Sequence, residues 1–146
     1  MATLANDAWE SLLAAHAVLM KRFAAQDIWA EVSMREYDVL YTLSKCAEPI
    51  NLTELNRHVL LSQPALSRLV DRLAERGLVE RCADPADGRG VRVSLTGGGR
   101  AVQRAIGRRH ARGVARAMTA ELSAGELAQL ETICRKLAGE REVLPV

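Results

Sequence analysis

The chain has 146 residues, of which 49% are hydrophobic and 26% are charged. This length and composition are typical of one globular domain and exclude an intrinsically disordered chain. No stretch approaches the ~18 apolar residues that a membrane-spanning helix needs. The first residues also lack the basic segment and apolar run of a signal peptide, so we expect a cytoplasmic protein.

The net charge of +2 conceals an uneven distribution along the chain. Residues 57–112 contain twelve arginines and five acidic residues, a net charge of +7, whereas the rest of the chain has a net charge of −5. A basic middle segment between acidic ends indicates a surface that faces a polyanion. Charge alone does not distinguish such a surface from a solvated face of mixed charge.

The three cysteines, Cys46, Cys82 and Cys134, are widely spaced and form no Cys-x-x-Cys pair. Neither a disulfide framework nor a zinc ribbon is therefore indicated. We expect each cysteine to be a buried, unreactive side chain, with oxidation of one of them as the open alternative.

Helical periodicity accounts for the first third of the chain. Apolar and aromatic residues at three- and four-residue steps predict a long helix over residues 6–30. Ser33 and Glu36 form a capping box, in which each side chain satisfies a free backbone N–H, and predict the start of a second helix. That helix is expected to end near Pro49, because proline cannot continue a helix. Asn51 and Glu54 repeat the capping pattern for a short third helix.

The next segment is the most informative one. Ser62 is a good N-cap residue, and Pro64 follows it in the first turn, where a missing N–H does no harm. Gly77 is expected to end this fourth helix as the left-handed residue after the C-cap. An apolar stripe at helical spacing predicts its buried face: Leu66, Leu69, Val70 and Leu73. A helix in this position is typical of the recognition helix of a helix-turn-helix.

A β-hairpin is predicted after the recognition helix. Residues 79–82 and 91–95 are strand-like, and the turn-rich residues 84–90 form the tip between them. A hairpin that follows a helix-turn-helix is the wing of a winged helix. A groove-binding helix beside a basic hairpin indicates a reader of duplex DNA.

Two further helices complete the chain. Thr96 is expected to cap a long helix over residues 97–118, although three early glycines weaken its first turn. Ser123 opens a last helix with another capping box, to which Glu126 contributes. The predicted order is therefore α-α-α-α-β-β-α-α, a mainly α-helical winged helix-turn-helix with a small β-hairpin.

Two lobes are expected within this single chain. Residues 33–96 would form the DNA-binding lobe. Residues 1–30 and 97–146 would form a helical lobe that packs against a second subunit, because these helices are too apolar to be isolated arms.

The chain resembles the multiple-antibiotic-resistance regulator (MarR) family of bacterial transcription factors over nearly its whole length. The most specific parts are DGRGVRVSLT, residues 87–96, and SQPALSRLVDRLAERGLVER, residues 62–81. The resemblance implies a homodimer whose recognition helices enter successive major grooves and whose wings reach the flanking minor grooves. It also implies a sequence-specific regulator, usually a repressor, that a small, often aromatic or phenolic, ligand releases from a pseudo-palindromic operator.

We predict DNA contacts from the first turn and the outward face of the recognition helix, where side chains can reach base edges or phosphates. The candidates are Ser62, Gln63, Pro64, Ala65, Ser67, Arg68 and Arg72. Capping alone explains Ser62 equally well, and helix initiation explains Pro64. For Arg72 the alternative is an ion pair with Asp71 or Glu75.

The wing supplies the remaining candidates. Arg89 lies between two glycines at the tip, an arrangement that allows a guanidinium to enter a narrow minor groove. The alternative is an ordinary solvated loop arginine. Asp87 is repelled by phosphate, so we expect it to orient the tip by accepting hydrogen bonds from the wing backbone or from Arg89. Arg81 and Arg92 are weaker candidates for phosphate contacts.

The sequence says less about a small-molecule effector. Candidates for a pocket between the first helices and the DNA-binding lobe are His16, Trp29, Tyr37, Tyr41 and His58. Ordinary core packing is the alternative for Trp29 and the two tyrosines. Aromatic residues make up only 3% of the chain, so few side chains are available to line an aromatic-rich ligand site.

Two alternatives to a ligand-responsive repressor remain open. One is a redox- or metal-responsive regulator of the same fold, and the other is a winged-helix module that binds a protein instead of duplex DNA. Ser67, Arg68 and Asp71 on the outward helix face disfavour the second, which would present apolar residues there. No nucleophile–base pattern, paired ligand histidines or phosphate loop indicates an enzyme, and no cofactor is expected.

Overall fold

The computed structural model describes residues 1–139 and, within them, six helices and three strands. The helices are α1 (Ala2–Ala24), α2 (Met34–Ser44), α3 (Leu52–Asn56), α4 (Gln63–Glu75), α5 (Gly97–Thr119) and α6 (Ala124–Ala138). The strands are β1 (Ile50–Asn51), β2 (Val79–Ala83) and β3 (Val91–Leu95). The predicted fold class and element order are confirmed, with one strand added. Residues 140–146 of the predicted helical lobe lie outside the described residues.

Within residues 1–139, no helix combines the length and the apolar character that spanning a membrane requires.

The added strand, β1, converts the predicted hairpin into a three-stranded antiparallel sheet of order β1-β3-β2. Ile50 pairs with Val93 and Asn51 with Arg92. Ile50 and Val93 are both buried, so this short pairing anchors the base of the wing to the α2–α3 connection. Two residues are too few to show the alternation that identifies a strand in a sequence.

Helix α1 ends at Ala24, so the prediction of a helix through residue 30 is wrong. The indole N–H of Trp29 donates to the carbonyl of Phe23 at 2.8 Å. The same carbonyl also accepts the backbone N–H of Gln26 at 3.1 Å, so it holds both the backbone turn and the indole at the end of α1. The indole bond folds the segment after α1 back onto the helix, which a continuous helix would not allow.

The predicted helix starts are confirmed by their capping bonds. The hydroxyls of Ser33, Ser62, Thr96 and Ser123 each accept a hydrogen bond from the backbone N–H three residues later. The Asn51 side chain does the same for α3. Such a cap depends only on neighbouring residues, which explains why it can be read from a sequence.

The end of α4 also follows the prediction. Gly77 has a φ of 70° and donates its N–H to the carbonyl of Ala74 at 3.0 Å. Leu78 donates its N–H to the carbonyl of Leu73 at 3.0 Å. These two bonds form the Schellman motif, whose left-handed residue is best supplied by glycine. The chain is thereby turned from α4 into β2.

The core lies between α2, α3, α4 and the base of the sheet. The apolar stripe predicted for α4 is buried there with residues of the neighbouring elements. The most deeply buried large side chains of the core are Leu40, Leu55, Leu66, Leu73, Val39, Val70 and Val93. This packing fixes α4 on the lobe and leaves its opposite face toward solvent.

The outer helices contribute little to this core. Phe23 is the one buried residue of α1, and α6, as far as Ala138, has none. Large apolar side chains are instead exposed on both helices: Leu4, Trp9, Leu12, Leu13, Val18, Ile133 and Leu137. An exposed apolar surface of this extent is typical of an interface.

Candidate nucleic-acid interface

The start of α4 presents polar and small residues to solvent. Ser62 precedes the helix, and its Oγ accepts the N–H of Ala65 at 3.3 Å. Ser62, Gln63 and Pro64 are exposed, and Ala65 is half-buried. Ser62 therefore has a capping role whatever else it contacts.

The outward face of α4 carries two unpaired guanidinium groups. Arg68 and Arg72 are exposed, and neither forms an ion pair with any part of residues 1–139. Ser67 lies beside them and is half-buried. Asp71, considered as a partner for Arg72, is paired with Arg81 instead. The face opposite the buried stripe therefore has free donors available for an external partner.

Two of the weaker arginine candidates have partners inside the protein. The guanidinium of Arg81 on β2 contacts the carboxylate of Asp71 on α4. Nε of Arg92 on β3 lies 3.3 Å from Oδ1 of Asp84. These pairs tie each strand of the wing to another segment, which the sequence did not indicate because the partners are eight or more residues apart.

The tip of the wing is closed by hydrogen bonds to Asp87. Oδ1 of Asp87 accepts the backbone N–H of Arg89 at 3.1 Å, and its carbonyl accepts the N–H of Gly90 at 2.9 Å. The side chain of Arg89 is exposed and has no ion pair within residues 1–139. The tip therefore holds its backbone by local bonds and leaves one guanidinium projecting.

Asp84 is a second organiser of the wing that sequence reasoning missed. It is 8% exposed, and its Oδ1 accepts the N–H of Ala86 at 2.9 Å besides pairing with Arg92. Its own N–H donates to the carbonyl of Gly90 at 3.0 Å. An aspartate that bonds a backbone N–H two residues on forms an Asx-turn, so its position before Pro85 was a usable signal.

A cavity of about 770 Å³ lies between α2 and α5. Tyr37 and Tyr41, two of the predicted pocket residues, line it from α2. The α5 side contributes Gln103, Arg104, Gly107, Arg108, His110, Ala111, Val114 and Ala115. These residues were missed because they lie more than sixty positions from the tyrosines in the chain.

The other predicted pocket residues lie elsewhere. Trp29 packs behind Tyr37, with a ring-centroid distance of 5.6 Å. His58 lines a smaller hollow of about 260 Å³, which shares Asp38 and Tyr41 with the main cavity. His16 lies on an exposed part of α1 and lines neither space.

Burial shifts the pKa values of three groups at the main cavity. It raises the pKa of Asp38 and that of Tyr37, for which a hydrogen bond to Gln103 acts in the opposite direction. It lowers the pKa of His110. The cavity thus has a desolvated wall, beside which Arg104 and Arg108 are exposed.

The cysteines and acids do not form a sensor cluster in the described part of the chain. No group of three or more His, Cys, Asp or Glu side chains in residues 1–139 could hold a metal ion. Cys46 is half-buried, and its Sγ donates to the carbonyl of Thr42 at 3.4 Å. Cys82 and Cys134 are exposed, so the prediction that all three cysteines are buried is wrong in the single chain.

The chain is similar in sequence and fold to known transcription regulators. The model of the MarR family matches residues 31–90. The multiple antibiotic resistance protein MarR of Escherichia coli (strain K12) is 34% identical to this chain over 107 residues, which cover 73% of this chain and 74% of that protein.

Two solved structures extend the similarity beyond the matched segment. A mutant MarR from E. coli, complexed with operator DNA, has 30% identity and a TM-score of 0.73, and the match covers 90% of this chain and 96% of that one. The PcaV transcriptional regulator from Streptomyces coelicolor, in complex with its natural ligand, has 29% identity and a TM-score of 0.67, with coverages of 88% and 87%. The chain therefore belongs to the MarR family of winged-helix transcription regulators, which are DNA-binding proteins and not enzymes.

Proposed function

We propose that this chain is a homodimeric repressor that binds a pseudo-palindromic operator and is released from it by a small organic ligand. The observation that carries this proposal is the set of free guanidinium groups on the recognition helix and the wing. Arg68, Arg72 and Arg89 are exposed and have no ion pair within residues 1–139. Free arginines are the side chains best suited to phosphates, guanine edges and a narrow minor groove.

Within one operator half-site, each part of the lobe of residues 33–96 has its own role. Gln63, Ser67 and Arg68 reach base edges in the major groove, and the small Pro64 and Ala65 allow close approach or contact a thymine methyl group. The backbone near Ser62 and the side chain of Arg72 bind phosphates.

The wing acts beside the recognition helix. Arg89 enters the flanking minor groove, and Asp87 holds the tip that presents it. Arg81 and Arg92, each paired with a carboxylate, support the wing and add positive potential more than they supply direct contacts.

Dimerisation through the helical lobe brings a second DNA-binding lobe to the second operator half-site. The exposed apolar side chains of α1 and α6 need a covering surface, and a second copy of the same helices provides one of matching character. Two recognition helices related by a two-fold axis then match half-sites about one helical turn apart. The structure of the E. coli MarR mutant in complex with operator DNA supports operator binding by this fold.

The effector is proposed to bind in the cavity between α2 and α5. Arg104 and Arg108 stand one helical turn apart on α5, and Tyr37 and Tyr41 line the cavity from α2. This lining suits a small planar organic acid, and the PcaV complex with its natural ligand supports a ligand-responsive mode of regulation. α2 belongs to the DNA-binding lobe, and α5 leads to the helical lobe. A ligand between them therefore releases DNA by favouring relative positions of the two lobes in which the recognition helices do not fit the operator.

DNA binding is tested by fluorescence anisotropy with the protein's own upstream intergenic DNA and a scrambled duplex at several salt concentrations. We expect tight binding to the first duplex, a steep loss of affinity with salt, and a two-fold symmetric footprint. Arg68→Ala, Arg72→Ala and Arg89→Ala should each weaken binding. Arg109→Ala is the matched control, because Arg109 is an exposed arginine of α5, outside the lobe of residues 33–96, and has no ion pair within residues 1–139.

Equal, weak binding to both duplexes would call for selection of bound fragments from the whole genome. If that selection also enriched no sequence, the protein-interaction module would replace the repressor. Titration of the protein–operator complex with planar organic acids, divalent metals and peroxide then distinguishes an organic effector from a metal or redox signal.

Dimerisation is tested by sedimentation equilibrium. We expect a mass of two chains, which Leu13→Glu should reduce because Leu13 is exposed on the apolar face of α1. Leu60→Glu is the control, since Leu60 is fully exposed between α3 and α4, away from both outer helices. A monomeric wild-type chain would contradict the dimer.

A further inference from the structure

His110 of α5 lies inside a cluster of aromatic rings that joins four segments of the chain. Its ring centroid is 5.4 Å from that of Phe23 on α1, 5.3 Å from Trp29 after α1, and 5.5 Å from Tyr37 on α2. We call these four side chains the His110 cluster. It is the place where α5 meets both the end of α1 and the start of α2.

One imidazole nitrogen has a polar neighbour. Nδ1 of His110 lies 3.4 Å from Oε1 of Gln26. The Gln26 amide is in turn packed against Gly113, one turn further along α5, where an added Cβ would lie 1.8 Å from its Nε2. The amide therefore has little freedom to move, and it can accept from only one of the two ring nitrogens. His110 also lines the cavity between α2 and α5.

The surroundings favour the neutral imidazole. Burial lowers the pKa of His110, because three aromatic rings replace water around it. When the ring gains a proton, both nitrogens become donors, and the second must then find water or an acceptor through the cavity.

Charged groups of both signs share the cavity with His110. Arg104 and Arg108 on α5 would repel an imidazolium. Asp38 on α2 would attract it, and burial raises the pKa of that carboxyl. The remaining titratable side chains facing the cavity are Tyr37 and Tyr41, and burial raises the pKa of Tyr37. The α1 side contributes the uncharged Gln26 and Phe23.

We propose that His110 is a proton-sensitive positioning residue: protonation moves its ring out of the His110 cluster toward the cavity, loosens α5 against α1 and α2, and thereby weakens operator binding. The last step rests on the proposed function, whereas the first two concern the chain alone. The expected direction is weaker DNA binding in mildly acidic conditions. Because the same ring lines the effector cavity, a bound organic anion would favour the same protonated state.

The first test follows the His110 cluster in the absence of DNA. The chain has two tryptophans, so Trp9→Phe leaves Trp29 as the single indole reporter beside His110. Because an imidazolium quenches a neighbouring indole, we expect Trp29 emission to change in one step between about pH 8 and about pH 5. His110→Phe, which keeps a ring in the cluster, should remove that step. His16→Gln and His58→Gln should retain it, and circular dichroism at about pH 8 checks that each variant is folded.

The second test measures operator affinity at about pH 7.5 and about pH 5.5 for the wild type, His110→Phe and His58→Gln. We expect the wild type and His58→Gln to lose several-fold more affinity than His110→Phe, since binding depends on pH only where the free and bound states hold different numbers of protons. Emission that does not change with pH, or that changes equally in His110→Phe, would overturn the proposal at its first step.

A normal emission change with equal losses of affinity in all three proteins would overturn the link to DNA. Absence of sequence-specific binding at either pH is a different result. It would contradict the proposed function, while the emission data would still decide whether His110 senses protons.

Discussion

Gly99 in the first turn of α5 lies against the backbone of Leu78, so closely that a Cβ at position 99 would stand 1.9 Å from the Leu78 carbonyl oxygen. The hydroxyl of Thr96 donates to the carbonyl of Gly77 at 2.6 Å beside this contact. The start of α5 is therefore packed directly on the turn that ends α4. This contact explains a glycine at a place where intrinsic propensity disfavours one.

Gly99→Ala should destabilise the protein by about 2–3 kcal/mol, because the methyl group meets backbone that cannot move aside without displacing α4 or β2. Gly97→Ala is the matched control, since nothing lies within 4 Å of a Cβ there. It should be neutral or stabilising by up to about 1 kcal/mol, because alanine is the better helix former. Urea denaturation of both variants measures the difference, and equal midpoints would contradict the close packing.

Asp84→Ala should loosen the wing. The substitution removes the acceptor for the Ala86 N–H and the partner of Arg92, and loss of a buried hydrogen-bonded carboxylate costs about 1–3 kcal/mol. We expect a lower free energy of unfolding, faster hydrogen exchange in the tip and weaker operator binding. Asp84→Asn should lie between the wild type and alanine, because it keeps the acceptor but not the charge. Unchanged exchange in Asp84→Ala would show that Asp87 alone holds the tip.

Asp71→Ala should strengthen DNA binding. It removes a negative charge from the outward side of α4 and frees Arg81 for a phosphate. We expect higher affinity and a steeper salt dependence, by about one counterion per subunit, in anisotropy titrations. The free energy of unfolding should change by no more than about 1 kcal/mol, because the pair is exposed. Arg81→Ala should have the opposite effect on affinity, and weaker binding by Asp71→Ala would mean that the pair positions the wing.

His110 should make folding stability depend on pH. Burial holds its pKa in the folded chain below the ordinary value of about 6.5, so the unfolded chain takes up the proton first as the pH falls. The free energy of unfolding should therefore decrease as the pH falls from about 6.5 toward the folded pKa, and level off for this group below it. Thermal unfolding should show a smaller decrease in His110→Phe than in the wild type. A larger decrease in the variant would contradict the neutral state of His110.

The features that could be predicted from the sequence are those with a local cause. A cap at Ser33 or Ser62 needs only a backbone N–H three residues later, and the left-handed Gly77 needs only its own conformational freedom. The buried stripe of α4 follows from helical periodicity alone. The wing could be predicted after that helix because two strand-like segments with a turn-rich tip between them are visible in the sequence.

The errors and omissions lie where the cause is a distant contact. α1 stops at Ala24 where the Trp29 indole caps its end, and β1 exists because Ile50 finds Val93 in the wing. Arg81 looked like a free arginine, yet its carboxylate partner lies ten residues earlier on another element.

The sequence by itself determined the order of the six helices and of the two wing strands, the recognition helix and the arginine at the wing tip, because each depends on interactions within a few residues. Only the tertiary structure decided which arginines are free, which aspartates hold the wing, and that α5 brings His110 and Arg104 to the tyrosines of α2. The reason is physical. Local hydrogen bonds and apolar periodicity are set by neighbours in the chain, whereas ion pairs and cavities form between side chains that only packing brings together.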